Sequence, residues 1–130
     1  MITTAYVRTM AAYNVEMNRR LYAAAGRLSD AERRTPRGAF WGSLHGTLAH
    51  ILWGDRQWMS RFAGWPKPAT PIAESARLID DFGELAAARE EADTGIARWA
   101  EDSTRLGSAA TWCGSAVRRT ARSAPRSGCW

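Results

Sequence analysis

The side chains best suited to chemistry in this sequence are two histidines, His45 and His50, on one proline-free stretch running from Phe40 to Phe62. An imidazole can ligate a divalent ion or carry a proton near neutral pH. On a helix, two ligands share an ion only when they stand three or four residues apart. A separation of five turns the rings about 140° from each other, so His45 and His50 do not chelate one ion. A single helical histidine is either a hydrogen-bonded structural group or one ligand of a larger set. Gly46 and Gly54 stand one turn before and after His50, and each costs a helix about 1 kcal/mol relative to alanine. Their placement predicts open space beside the His50 ring. Asp55 falls within the apolar arc of the same stretch. A carboxylate there needs a partner, either a tyrosine hydroxyl or loop amides, and its other reading is a catalytic base. Cys113 and Cys129 are sixteen residues apart, match neither a redox Cys-x-x-Cys pair nor a zinc knuckle, and read as free thiols.

The elements that must carry these groups are helical. Phe40, Trp41, Leu44, Leu48, Ile51, Leu52, Trp58, Met59 and Phe62 fall in an arc of about 120° at 100° per residue, which predicts one core helix over 40–62. A first amphipathic helix is predicted over 5–28, from Tyr6, Met10, Tyr13, Met17, Leu21, Ala24 and Leu28 at spacings of three and four. Between the two, Ser29-Asp30-Ala31-Glu32 has the form of a capping box, and Thr35-Pro36-Arg37-Gly38 is turn chemistry that reverses the chain. Pro66, Pro68 and Pro71 end the core helix and open a long loop to about residue 80. Trp65 at its start is read as a hydrophobic contact. A third helix is predicted from an N-cap at Asp81, with Leu85, Ala88, Ala92, Ile96 and Trp99 as its stripe.

The run GSLHGTLAHILWGDRQWMSRFAG resembles the second helix of the DinB family (DinB/YfiT-like proteins), where a histidine and an apolar pair precede an Asp-Arg and an aromatic, here His50, Ile51, Leu52, Asp55, Arg56 and Trp58. Tyr13, Asn14, Asn18 and Leu21 resemble the family's first helix, and Arg89, Asp93, Ile96 and Trp99 its third, so the likeness covers about residues 5–106. The resemblance implies an all-α fold, a DinB-like up-down four-helix bundle with a long loop after its second helix. It also implies a divalent metal, nickel or zinc, held by three histidines, of which His50 is one. The loop crossing near the metal-bearing end would bring Trp65 to the substrate pocket. The activity implied is that of a metal-dependent hydrolase or thiol-dependent transferase acting on a small molecule. The family's name records induction by damage, which is a regulation and states no chemistry.

With 45% hydrophobic and 24% charged residues and no apolar run approaching 18, the composition is neither disordered nor membrane-spanning. The N-terminus lacks the apolar core of a signal peptide, which predicts a cytoplasmic protein. Residues 1–106 hold 14 basic and 13 acidic side chains, net +1, whereas 107–130 hold four arginines and no acid. The charge of +5 therefore belongs to the tail, and Arg118, Arg119, Arg122 and Arg126 are read as a solvated end rather than a nucleic-acid-binding one. The tail has no histidine, so a fourth helix with its His-x-x-x-His pair is missing or replaced. The expected organisation is an incomplete helical domain over 1–112 and an irregular, disordered Arg/Ser/Gly-rich tail over 113–130, from truncation or a shifted reading frame. Two of three metal ligands would then be absent and activity impaired. Three helices with exposed stripes would pair as a homodimer, and the alternative function is a non-enzymatic helical dimerisation module.

Overall fold

The computed structural model describes residues 2–106, with side chains through residue 103. Three long helices and two short ones make up this part: α1 (Thr4–Ala25), α2 (Asp30–Arg34), α3 (Leu44–Phe62), a 3-10 helix (Ile72–Arg77) and α4 (Phe82–Leu106). Among the described residues there is no β-strand. The region where a fourth helix is expected to be missing or replaced, with Cys113, Cys129 and the arginine tail, lies outside the described residues.

Each α-helix begins where a side chain can satisfy its free amides, whereas the 3-10 helix starts after Pro71 with no side-chain cap. The Thr3 side chain accepts from the Tyr6 amide, Ser43 from Gly46, and Asp81 Oδ1 from Glu84 at 2.8 Å. The capping box at Ser29 forms as its spacing predicts, with Glu32 returning to the Ser29 amide at 2.7 Å. The last carbonyl of α1 is met from α2, since Arg33 Nη1 donates to Ala25 O and also to Leu28 O in the turn that follows, while its guanidinium lies 4.0 Å over the Phe82 ring. Gly38 and Gly42 adopt positive φ (70° and 80°), so the turn extends past residue 42 and α3 starts at Leu44 rather than Phe40. Phe40 is 91% exposed in consequence.

Helix α1 runs antiparallel to α4, with Arg8 paired to Glu101, Asn18 to Asp93 and Tyr22 stacked on Phe82. Helices α3 and α4 run parallel, because His45 lies against Phe82, Asp55 against Arg89 and Phe62 against Trp99. A parallel pair needs a connection that returns the length of the first helix, about 28 Å for 19 residues. Residues 63–81 do this by running back along α3. Trp65 N bonds Met59 O, Trp53 Nε1 donates to Thr70 O, Ser75 meets His50 and Ile79 O meets His45.

The core is built from Ala25, Leu48, Ala49, Leu52, Leu85 and Ala92, with Tyr22, Leu44, Trp65, Leu78, Ile79, Phe82 and Ala88 packed against it. Full burial of Leu48, Leu52 and Leu85 contributes about 1.5–3 kcal/mol each. Two predicted stripes are turned. On α1 the buried positions are Ala11, Asn18 and Ala25, about 100° from the Tyr6–Met10–Tyr13–Leu21 stripe, whose members are 41–57% exposed. On α3 the buried face is His45, Leu48, Ala49, Leu52 and Met59, while Ile51, Trp58 and Phe62 stand outside it. A polar residue takes the buried side of α1 because the neighbouring α4 presents a carboxylate there that needs a donor.

Candidate functional site

His50 projects from the flank of α3 that the crossover covers. Its Nδ1 lies 2.8 Å from Oγ of Ser75, a fully buried residue of the 3-10 helix, and that hydroxyl donates its proton to Ile72 O at 2.7 Å. A hydroxyl has one hydrogen, so Ser75 accepts from His50 and the imidazole proton sits on Nδ1. Nε2 is then the lone-pair nitrogen of the neutral ring. The ring stacks with two indoles, Trp41 at 3.8 Å and Trp53 at 5.9 Å between centroids. Burial pushes the His50 pKa below its ordinary 6.5, which favours this neutral form.

Of the two glycines beside His50, Gly54 leaves open space as predicted and Gly46 does not. A Cβ at Gly46 would lie 2.5 Å from the Trp41 carbonyl and 3.3 Å from Ala76, so this glycine admits the turn and the crossover to the helix. Gly54 has nothing within 4 Å of such a Cβ, while the ring itself is in contact with Trp41 and Ser75. His45 is buried on the other side of α3. Its Nε2–H donates to Ile79 O at 2.9 Å, and its Nδ1 is buried without a hydrogen-bond partner among the described residues. The two histidines are kept apart, as their spacing requires.

Asp55 does find a partner, but a different one from the tyrosine or loop amides expected. Arg89, 2% exposed, places Nη1 2.6 Å from Asp55 Oδ2 and Nη2 2.7 Å from Asp93 Oδ1. Asn18 and Asn14 donate to the same Asp93 oxygen at 2.9 and 3.2 Å. One guanidinium thus ties α3 to α4 while two amides tie α1 to the same carboxylate. Burial raises the Asp93 pKa above 3.8, opposed by Arg89 and Asn18. Tyr22 is pushed up to about 12, chiefly by burial, and its hydroxyl has no hydrogen-bond partner among the described residues. The network ties α1, α3 and α4 together on charge.

The sequence contains two histidines, and among the described residues no group of three or more His, Cys, Asp or Glu could hold a metal ion. His50 itself has the form of a ligand, since a metal-binding imidazole characteristically donates its other N–H to a fixed acceptor. The partners missed from the sequence are Trp53, whose i+3 spacing from His50 was a legible signal, and Ser75 and Trp41, which carry none.

A search of curated proteins and one of solved structures each return no match. The family model described as DinB family matches residues 1–119, a longer span than the residue pattern alone indicated. That match covers nearly the whole sequence and agrees with the all-helical architecture, so this chain belongs to the DinB family.

Proposed function

We propose that the chain carries the scaffold of a divalent-metal-dependent DinB enzyme, a hydrolase or a thiol-dependent transferase for a small molecule, with His50 as the one ligand it supplies. The observation that supports this is the Ser75-held tautomer, which offers Nε2 of a neutral imidazole. A nickel or zinc ion held by three imidazoles would supply a water or thiol of lowered pKa. The residues present do not fit that complete site, because the remaining histidine, His45, is buried on another face and bonded to Ile79. The enzymatic activity is therefore impaired in this chain. The test is titration of the full chain with Ni²⁺ or Zn²⁺, following the His50 ring by NMR. Weak binding centred on His50 and lost in His50→Ala is expected. Stoichiometric binding at micromolar metal would overturn the incomplete site, and binding indifferent to His50→Ala would overturn the ligand assignment.

A second reading is a helical module that forms a homodimer. It is favoured by the exposed stripes of Tyr6, Met10, Tyr13 and Leu21 on α1 and Ile51, Trp58 and Phe62 on α3. Sedimentation velocity across a hundredfold range of concentration decides it: a monomer throughout removes this reading, whereas a metal-independent dimer supports it.

A further inference from the structure

A cavity of about 790 Å³ opens between the C-terminal half of α3, the proline-rich start of the crossover and the middle of α4. That volume lies within the range of small-molecule sites. Trp65, Pro66, Pro68, Leu78 and Ala92 give it apolar walls. Three cations stand around it, Arg56 from α3, Lys67 from the crossover and Arg98 from α4, against the single acid Glu91. Among the described residues these three have no ion pair or hydrogen-bonded partner, whereas Arg8, Arg19, Arg20, Arg33, Arg34 and Arg89 are paired; Arg27, Arg37, Arg61 and Arg77, away from the cavity, also lack an ion pair. Positive charge is thus left in excess at a place where three elements meet around an apolar hollow.

The walls are built in place. A Cβ at Gly95 would lie 2.5 Å from Trp65 Cζ2 and 2.9 Å from Cη2, so α4 carries a glycine in mid-helix where the indole edge seats against it. The opposite rim is held by Trp53 Nε1, which donates to Thr70 O at 2.8 Å. A preformed hollow loses little ordering entropy on binding. Neither Trp53 nor the His50 ring that stacks on it lines the cavity, so the cavity and the His50 face are separate surfaces.

We propose that this cavity binds a small organic anion, a carboxylate or phosphate ester joined to an apolar body of at least one ring. Arg56 and Arg98 hold the charged end through guanidinium forks, assisted by Lys67, and the Trp65 face and the prolines take the apolar body. The neutral His50 ring plays no part in it.

The test is NMR titration of the full chain, following the Trp65 indole N–H, with benzoate, phenyl phosphate, benzamide and inorganic phosphate as probes. Benzoate or phenyl phosphate should shift the resonance saturably, and the tighter of the two identifies the head group. Benzamide and inorganic phosphate should each bind about tenfold more weakly, and Arg56→Gln and Arg98→Gln should each weaken the anion about tenfold. Neither arginine supports another side chain, so both variants keep the helicity of the parent. Equal binding of benzamide and benzoate would show an apolar groove with no anion preference. Equal binding of inorganic phosphate and phenyl phosphate would remove the apolar subsite. Unchanged anion affinity in the double variant would place the site elsewhere. His50→Ala should leave anion binding as it is, which separates this site from the metal-ligand reading.

Discussion

Replacing Arg89 with methionine keeps most of the side-chain volume and removes the one cation between two carboxylates. Losing one partner of a buried ion pair costs about 3–5 kcal/mol, because the other charge is left unpaired in a poorly solvated place. The lower end applies to Arg89. Asp55 is 32% exposed and rehydrates, while Asp93, at 7%, keeps its two asparagine donors. A loss of about 3 kcal/mol, with a urea slope of about 1.5 kcal/mol/M, moves the unfolding midpoint down by about 2 M. Domains of this size are stable by about 5–15 kcal/mol, so the variant still folds. The loss should also depend on pH. The folded-state pKa of Asp93 lies above its unfolded value of 3.8, so the folded protein binds more protons in the window just above 3.8 and loses stability as pH rises through it. Arg89 is one of the groups holding that pKa down, so removing it widens the window upward. Urea unfolding followed by circular dichroism should therefore give a smaller penalty near pH 5 than near pH 7. Adding Asp93→Asn to Arg89→Met should recover part of the loss at neutral pH. A penalty below about 1 kcal/mol, or one equal at both pH values, would refute the buried-charge account.

Four further outcomes follow from the structure. Gly54→Ala should stabilise the protein by about 0.5–1 kcal/mol in urea unfolding, since the added methyl meets nothing. Gly95→Ala should instead destabilise by about 1–3 kcal/mol from overpacking, less the helix-propensity gain, and should shift the Trp65 indole resonance as the ring is pushed from its seat. The His50 ring should titrate by NMR with a midpoint below 6.5; its folded pKa lies below the unfolded value, so its contribution is present above 6.5 and is lost as pH falls through the folded pKa. Ser75→Ala should shift the tautomer balance, read from the His50 ¹⁵N ring shifts, and leave the helices intact.

Helix existence, order and most ends are local matters. The alternation of apolar positions, the Ser29–Glu32 box, the Asp81 cap and the three prolines after Gly64 determine them from residues within a few positions, where hydrogen bonding is settled chain-locally. The separation of His45 and His50 is equally local, because five residues on a helix leave no other geometry. The start of α3 was missed for a local reason as well: Gly42 at positive φ and the Ser43 cap outweigh the apolar pattern that continues back to Phe40. A stripe in the sequence says which side chains share a face, and nothing about which neighbour that face will meet. On α1 it is the polar Asn18 that turns inward, because Asp93 arrives on α4 seventy-five residues later and needs its amide. The same holds at His50 and Asp55. The parallel course of α3 and α4 sends the crossover back along α3, bringing Ser75 to His50 and Arg89 to Asp55 across separations of 25 and 34 residues. Those encounters depend on the direction in which helices pack, a property of the assembled core that no window of the chain contains.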